Sequence, residues 1–128
     1  MKLRQVNSVI EFGEWAVSKG FRCGGGPGKF GPVSPTAHSS TSLHYAQPSR
    51  ALDINFDPGP GKRWPSESAA CNWLFNRVMR YEINHRAAFP MHEMFFEDRG
   101  YKYYAPGTNV PITKHYDHLH IGFQKNTW

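Results

Sequence analysis

Two segments of the chain share one pattern of apolar and polar positions. The residues Leu-Asp-Ile-Asn-Phe at 52–56 and Leu-His-Ile-Gly-Phe at 119–123 both place Leu, Ile and Phe at alternate positions. Side chains alternate between the two faces of a β-strand, so this pattern predicts two strands that bury one face in the core. If the strands are neighbours in one sheet, the opposite face carries Asp53 from the first and His118 and His120 from the second.

Two longer segments have the periodicity of amphipathic helices. The first covers residues 8–20 and opens with Ser8 and Glu11 at the spacing of a capping box. Its predicted apolar face consists of Val9, Phe12, Ala16 and Val17. The second covers residues 66–85 and begins at Ser66. Its apolar residues at helical spacing are Ala70, Trp73, Leu74, Val78 and Tyr81.

The remaining segments indicate loops and two more short strands. Residues 94–98 and 101–104 are predicted strands joined by a turn at 98–100, and the Gly- and Pro-rich segment 23–36 is a predicted loop. This loop lacks the residue spacing of a phosphate-binding loop. No repeat or linker divides the sequence, so we expect residues 1–128 to form one small α+β domain with the helices packed on one face of an antiparallel sheet.

The net charge of the chain narrows its possible partners, and its two cysteines leave two oxidation states open. The chain has 15 Lys and Arg against 10 Asp and Glu, a formal net charge of +5 that favours a polyanionic partner. Nucleic acid and the anionic polymers of a bacterial cell wall both satisfy this, and the chain has no run of five or more basic residues. Cys23 and Cys71 form no C-x-x-C motif, so two free thiols and one disulfide both remain open.

A carboxylate and imidazoles on one face of a sheet suit a divalent metal. Zinc binds His nitrogen and Asp oxygen, and a catalytic zinc usually has three protein ligands. A third ligand is supplied by His44, which precedes Asp53 in the segment 42–53. The metal site would then lie on the sheet face opposite the helices and hold His44, Asp53 and His120, with His118 beside them. The histidines interpreted as ordinary surface residues are His38, His85, His92 and His115.

These candidate ligands belong to a longer pattern that resembles a known family. The resemblance is to the zinc peptidases of the lysostaphin, D-Ala-D-Ala peptidase and hedgehog superfamily, above all to the D-Ala-D-Ala peptidase branch, which includes several phage endolysins. That branch carries S-x-H-x-x-G-x-A-x-D upstream and E-x-x-H or H-x-H downstream. The similarity covers about residues 38–123. The matching residues are Ser42, His44, Ala51, Asp53, Asp117, His118 and His120.

The chain departs from the family pattern in two places. The spacing between His44 and Asp53 is two residues longer than in the family, and Ser49 stands where the family has glycine. An insertion in a loop whose two ends are anchored is tolerable, since loop-closure entropy grows slowly with length. The departures therefore bear on the geometry of the site more than on its existence.

The resemblance also implies a role for each matching residue. It implies one zinc ion held by His44, Asp53 and His120. Asp117 stands at the position of the family's glutamate, the general base, but strict strand alternation would point it to the core, so His118 remains the alternative base. Otherwise His118 is a second-sphere residue that orients the attacking water or stabilises the transition state. Candidate substrate contacts are Ser42, Tyr45 and Tyr116.

The activity implied by the resemblance is hydrolysis of a peptide bond in the stem peptide or cross-link of peptidoglycan. An endolysin-like endopeptidase and a D,D-carboxypeptidase both fit, and the bond cut stays open. We expect a monomer without a separate cell-wall-binding domain, a nucleic-acid partner or a membrane partner. It would be made in the cytoplasm without a signal peptide and act on the wall after release during host lysis.

Three alternatives to this hypothesis remain. The first is a metal-binding but non-hydrolytic module, as occurs in the hedgehog branch. The second keeps the fold and the zinc but makes the protein an N-acetylmuramoyl-L-alanine amidase. The third is a basic nucleic-acid-binding protein, which only the aromatic and basic segment 101–104 favours.

Overall fold

The computed structural model describes residues 2–38, 40–85, 91–97, 99–102 and 118–124. These residues form two α-helices and one antiparallel sheet, which confirms the predicted α+β class. The helices are α1 (Val9–Ser18) and α2 (Glu67–His85). The strands are β1 (Arg22–Gly24), β2 (Ala51–Asn55), β3 (Met91–Phe96), β4 (Arg99–Lys102) and β5 (Leu119–Phe123).

The two segments with matching patterns are strands, as predicted, and they are neighbours in the sheet. The strand order is β1-β2-β5-β3-β4, and each neighbouring pair is antiparallel. The C-terminal strand β5 is therefore inserted between β2 and β3 at the centre of the sheet. In the register of β2 and β5, Asp53 lies directly opposite His120 and Leu52 lies opposite Ile121. Because side chains alternate, this register puts both polar residues on one face and both apolar residues on the other.

The apolar face of the sheet packs against both helices. Its central side chains are fully buried and belong to the same apolar cluster as the inward faces of α1 and α2. The strand members of this cluster are Leu52, Ile54, Met91, Met94, Phe96, Leu119, Ile121 and Phe123. Removing this much apolar surface from water is the main favourable contribution to folding. In the described part of the chain, neither helix is both long and apolar enough to cross a membrane.

Helix α1 buries a slightly different face from the one predicted. Ser8 caps it as expected, since the Ser8 Oγ accepts a hydrogen bond from the Glu11 N–H at 3.1 Å. The prediction for Val17 was wrong, because this side chain is 49% exposed, whereas Trp15 is 2% exposed. The large indole of Trp15 packs tilted against Phe12, with 5.5 Å between ring centroids. The buried face of α1 therefore includes Trp15 and leaves Val17 exposed.

Two local predictions about loops were also wrong. The turn expected at 98–100 is shorter, because Phe96 pairs with Arg99 and both Arg99 and Gly100 belong to β4. A two-residue connection of this kind requires a positive φ, and Glu97 has a φ of 54°. In addition, Cys23 and Gly24 of the predicted loop lie in β1, a three-residue strand too short to show alternation.

Gly122 allows two parts of the chain to approach the polar face of the sheet. It lies opposite both Ala51 of β2 and Glu93 of β3. A Cβ atom at this position would lie 2.6 Å from the Leu43 Cδ1 and 2.9 Å from the Glu93 Cγ. Only glycine therefore permits the segment that carries Leu43 to rest on β5 while Glu93 keeps its position.

A Gly122→Ala variant tests this close approach. We expect it to lower the free energy of unfolding by about 1–3 kcal/mol, the usual cost of forcing an extra methyl group into a packed site. The measurement is chemical denaturation followed by circular dichroism. Gly24→Ala is the matched control in β1, where a Cβ would meet no atom within 4 Å. Equal stability of the two variants would contradict the packing argument.

Cys23 and Cys71 are both free thiols in the structure. The sequence left two free thiols and one disulfide open, and the structure has the two free thiols. Burial raises the pKa of the Cys23 thiol and of the Cys71 thiol to about 12 in each case. Since the thiolate is the reactive species, we expect slow alkylation of the native protein at pH 8. Mass spectrometry should count two additional labels after unfolding in denaturant without reductant. Fast native labelling, or fewer than two labels after unfolding, would refute this expectation.

Candidate metal centre

Three side-chain atoms converge on the polar face of the sheet. The His44 Nε2 lies 3.0 Å from the Asp53 Oδ1 and 3.2 Å from the His120 Nδ1. The His120 Nδ1 lies 3.6 Å from the same Asp53 oxygen. These are the three residues predicted from the sequence as metal ligands, and they come from three separate parts of the chain.

The sheet and one short helix fix the positions of these side chains. Asp53 and His120 face each other across β2 and β5. His44 lies in a 3-10 helix, Leu43–Tyr45, whose N-cap is Ser42. The Ser42 Oγ accepts a hydrogen bond from the His44 N–H at 3.2 Å, so its hydroxyl has a capping role.

The longer spacing between His44 and Asp53 is accommodated by a closed loop. The Arg50 N–H donates a hydrogen bond to the Leu43 carbonyl at 3.0 Å, which closes the segment 43–50 on itself. The Arg50 side chain then donates from Nε to the Phe123 carbonyl at 3.0 Å. Because both ends of the loop are held against β5, the two extra residues do not displace His44 from the strands.

The outer nitrogen of each buried imidazole is occupied by a hydrogen bond. The His44 Nδ1–H donates to the Gly25 carbonyl at 2.6 Å, and the His120 Nε2–H donates to the Glu93 Oε2 at 2.7 Å. A carbonyl and a carboxylate can only accept, so these bonds assign a proton to each outer nitrogen. In the neutral imidazoles, the His44 Nε2 and His120 Nδ1 lone pairs therefore both point towards Asp53.

Gly25 has a backbone conformation suited to its position under His44. Its φ is +68°, and a Cβ there would lie 3.1 Å from the His44 Cε1. The same carbonyl that accepts from His44 also accepts from the Ser49 Oγ–H at 3.3 Å. Ser49, which stands in place of the family's glycine, thus helps to hold the acceptor of the His44 proton.

Hydrogen bonds within this cluster shift the pKa values of Asp53 and His120. Burial by itself would favour the neutral form of Asp53, but hydrogen bonds with His120 and His44 hold the pKa of its carboxyl well below the ordinary range. Burial would also lower the pKa of His120, but its bonds to Asp53 and Glu93 raise that pKa above the ordinary value. These hydrogen bonds thus favour an ionised Asp53 and a protonated His120.

The donor set fits a tetrahedral zinc ion. Metal–ligand distances of about 2.0–2.1 Å in that geometry place neighbouring ligand atoms about 3.3–3.4 Å apart. The observed separations among the His44, Asp53 and His120 atoms are 3.0, 3.2 and 3.6 Å. Two neutral imidazole lone pairs and a carboxylate oxygen at such distances repel one another unless a cation or a proton lies between them.

His38 belongs to the same cluster, contrary to the prediction that it is an ordinary surface residue. Its ring stacks on that of His44, with 3.9 Å between centroids and 18° between planes. One ligand atom from each of His38, His44 and Asp53 lies within 4.8 Å of the others, and this group could hold a metal ion. Partial burial is the main cause that lowers the pKa of His38, and proximity to His44 lowers it further.

His118 lies at the edge of the centre rather than inside it. Its Nε2 is 3.6 Å from the Asp53 Oδ1, and its side chain is 24% exposed, against 6% for His120. Position 118 immediately precedes β5, and the alternation that gives His120 its orientation also applies to it. His118 therefore has an imidazole that a ligand approaching the cluster can reach.

The other sequence-predicted residues have different outcomes. Asp117 and Tyr116, the candidate base and a candidate substrate contact, lie outside the described residues, as does His115. The Tyr45 hydroxyl accepts a hydrogen bond from the His38 N–H at 3.1 Å. Tyr45 also lines a groove beside the centre, which is the position expected of a substrate contact.

That groove adjoins His44 and has a volume of about 540 Å³. Glycines and prolines dominate its walls, from the segments 26–35 and 45–49, together with Tyr45 and Ser49. Small side chains leave backbone groups accessible, so the groove suits an extended, polar ligand better than a bulky apolar one.

Sequence reasoning missed Gly25 and Glu93 as supports of the centre. Glu93 lies on β3, which pairs with β5 on the side away from β2. Phe95 follows on the same face and lies opposite His120, with its ring stacked on the imidazole at 5.4 Å. The alternation Glu93, Phe95 was visible in the sequence, but nothing local indicated that β3 borders β5.

Comparisons of this chain with protein-family models, curated proteins and solved structures find no match. The resemblance described above therefore rests on the motif residues alone.

Glu93 should strengthen metal binding through His120. Carboxylates that accept from a metal-bound imidazole typically change metal affinity by about 10–100-fold when removed. We expect Glu93→Ala to weaken zinc binding by that factor and Glu93→Gln, which keeps an acceptor, to weaken it less. The measurement is competition with a chromophoric zinc chelator.

The control is Glu14→Gln. Glu14 lies in α1, and its carboxylate forms an exposed ion pair with Lys29. It should bind zinc as the wild type does. Wild-type affinity in a folded Glu93→Ala variant would show that this carboxylate has no part in the centre.

Proposed function

We propose that this protein is a zinc-dependent peptidase that hydrolyses a peptide bond of bacterial peptidoglycan. The observation that carries the proposal is the convergence of the His44 Nε2, Asp53 Oδ1 and His120 Nδ1 within 3.0–3.6 Å of one another. These residues are the ones that match the ligand positions of the zinc peptidases in the resemblance. The motif and the geometry thus support the same three ligands independently.

The protein's own residues prepare the site for the metal. Gly25 and Glu93 accept hydrogen bonds from the outer nitrogens of the two imidazoles, so the inward nitrogens are oriented to bind a metal once they carry no proton. A bound zinc would supply a Lewis acid that polarises a carbonyl and lowers the pKa of water to about 7. The hydrogen bonds to the outer nitrogens fix the ring orientations in advance, so little reorganisation is needed.

The acid–base step requires a group beside the ligands. By its motif position, Asp117 is the proposed general base, which takes a proton from the attacking water and passes it to the leaving amine. His118 is the proposed electrophilic residue, since its partly exposed imidazole near Asp53 can donate a hydrogen bond to the oxygen of the substrate carbonyl. If Asp117 is not the base, His118 takes that role.

The proposed substrate fits the groove and the charge. Stem peptides of peptidoglycan are extended and rich in small side chains, which suits a groove walled by glycine and proline next to His44. The net charge of +5 favours a polyanionic cell wall over a neutral surface. The protein would act on the wall after release from the cytoplasm, as a monomer, and cut either a stem-peptide bond or a cross-link.

Zinc content and hydrolysis of purified peptidoglycan test the proposal together. We expect about one zinc per chain and turbidity loss that a chelator abolishes. His44→Ala, Asp53→Ala and His120→Ala should each lose zinc and activity, because two remaining ligands bind zinc weakly. Asp117→Asn should keep zinc and lose about 10²–10⁴ in rate.

His38→Ala is the comparison that identifies the ligand set. It should retain zinc if the ligands are His44, Asp53 and His120, whereas loss in His38→Ala and retention in His120→Ala would assign the site to His38, His44 and Asp53. Zinc without hydrolysis would favour the non-hydrolytic module. Release of stem peptides that begin with a free L-alanine, together with glycan strands that are not cut, would identify an amidase.

A further inference from the structure

A second cavity lies on the helical side of the molecule, away from the histidines. Its volume is about 300 Å³, and it is formed by the N-terminal segment, both helices and the segment before α2. Asp53 and His120 lie on the opposite face of the sheet from the helices. The cavity's charged lining residues within the described part of the chain are all cationic: Lys2, Arg4, Lys19, Arg63 and Arg77.

Among the described residues, no carboxylate forms a salt bridge with any of these five cations. The Lys and Arg salt bridges found among the described residues join Arg22 to Asp57 and Lys29 to Glu14, both outside the cavity. Five positive charges around a small concave surface create a local potential that attracts anions. The cavity is thus more basic than the scattered Lys and Arg residues of the sequence suggested.

Arg63 is held in a fixed orientation within this cavity. Its guanidinium carbon lies 4.7 Å from the ring centroid of Trp64 and 4.7 Å from that of Trp73. The two indoles contact each other, with 5.0 Å between centroids, and Phe21 packs against Trp64 at 5.4 Å. A guanidinium oriented by aromatic rings loses less side-chain entropy on binding a bidentate oxyanion, and phosphate has the matching geometry.

The aromatic residues of the cavity provide little surface for nucleobases. Arg63 already covers the ring of Trp73, Trp15 is 2% exposed, and Tyr81 is partly buried against the apolar core. Single-stranded nucleic acids bind through free aromatic faces as well as charge. The cavity therefore favours a ligand recognised by its phosphates alone, such as phosphate esters along a polyol or sugar chain.

We propose that this cavity binds the phosphate groups of an anionic cell-wall polymer and so holds the protein on the wall. This inference rests on the proposed function for the identity of the polymer. Because the cavity and the histidine cluster lie on opposite sides of the sheet, the polymer can occupy the first while a peptide occupies the groove beside His44. Attachment and hydrolysis are thus separate properties of two faces.

Binding of a labelled poly(glycerol phosphate) chain tests the proposal without any peptide bond to cut. Fluorescence anisotropy of the zinc-loaded protein should show binding that weakens with salt. We expect Arg63→Gln/Arg77→Gln to weaken it at least 10-fold. Arg22→Gln/Lys29→Gln removes the same number of positive charges outside the cavity and should weaken polymer binding no more than about 2-fold. Equal weakening by both double variants would overturn the proposal, since net charge alone would then explain binding.

Two further arms separate fold and ligand effects. Arg4→Gln/Lys19→Gln removes two exposed cavity charges without touching the indoles, and should also weaken binding at least 10-fold. Polyglutamate or a single-stranded oligonucleotide of equal charge should bind more weakly than poly(glycerol phosphate). Equal or tighter binding of either would contradict phosphate-ester recognition at this cavity.

Activity on two substrates distinguishes failure of this inference from failure of the proposed function. Soluble peptidoglycan fragments free of phosphate should be cut equally by wild type and Arg63→Gln/Arg77→Gln, whereas phosphate-bearing walls should be cut more slowly by the variant. Equal rates on walls would refute the attachment role. If no fragment is cut by any form, the proposed function fails, while the anisotropy result still decides whether the cavity binds phosphates.

Discussion

The pairing of Asp53 with His120 across the centre of the sheet is the contact on which the functional part of the structure depends. It places a carboxylate and an imidazole face to face on adjacent strands, and His44 adds a second imidazole from a loop. Three electron-pair donors at this separation are not stable side by side without a positive charge between them. A proton or a cation between these atoms is therefore favoured, and the hydrogen bonds of His120 with Asp53 and Glu93 raise its pKa accordingly.

The surroundings of the cluster meet this requirement by fixing orientation. Gly25 and Glu93 each occupy the outer nitrogen of one imidazole, and Gly122 leaves room for the loop and for Glu93 to reach the sheet. These contacts come from β3, from the segment after β1 and from β5. The arrangement of the cluster is consequently a property of the whole sheet, since the hydrogen-bond partners of His44 and His120 lie in parts of the chain that are distant in sequence.

The sheet also separates two kinds of surface. One face is buried under α1 and α2 and supplies the stability, while the other carries the polar cluster and its groove. The helices in turn present the basic cavity around Arg63 on the side away from the cluster. The two faces therefore expose different chemistry, since one carries histidines and an aspartate beside a groove and the other carries a cationic cavity.

The sequence by itself determined both helices, the matching strands β2 and β5 and three of the clustered side chains, because these follow from local rules. Alternation assigned Leu52 and Ile121 to the core and Asp53 and His120 to the opposite face, and one motif added His44. Local rules gave no access to Glu93, Gly25 or His38, whose roles depend on which strand borders β5 and on how the segment 25–50 crosses the sheet. Local rules also placed Val17 in the core, whereas it is exposed and Trp15 is buried against Phe12 instead. Side-chain periodicity is set by the backbone within a few residues, whereas strand order and loop placement are set by packing of the whole chain, and only the tertiary structure decided those.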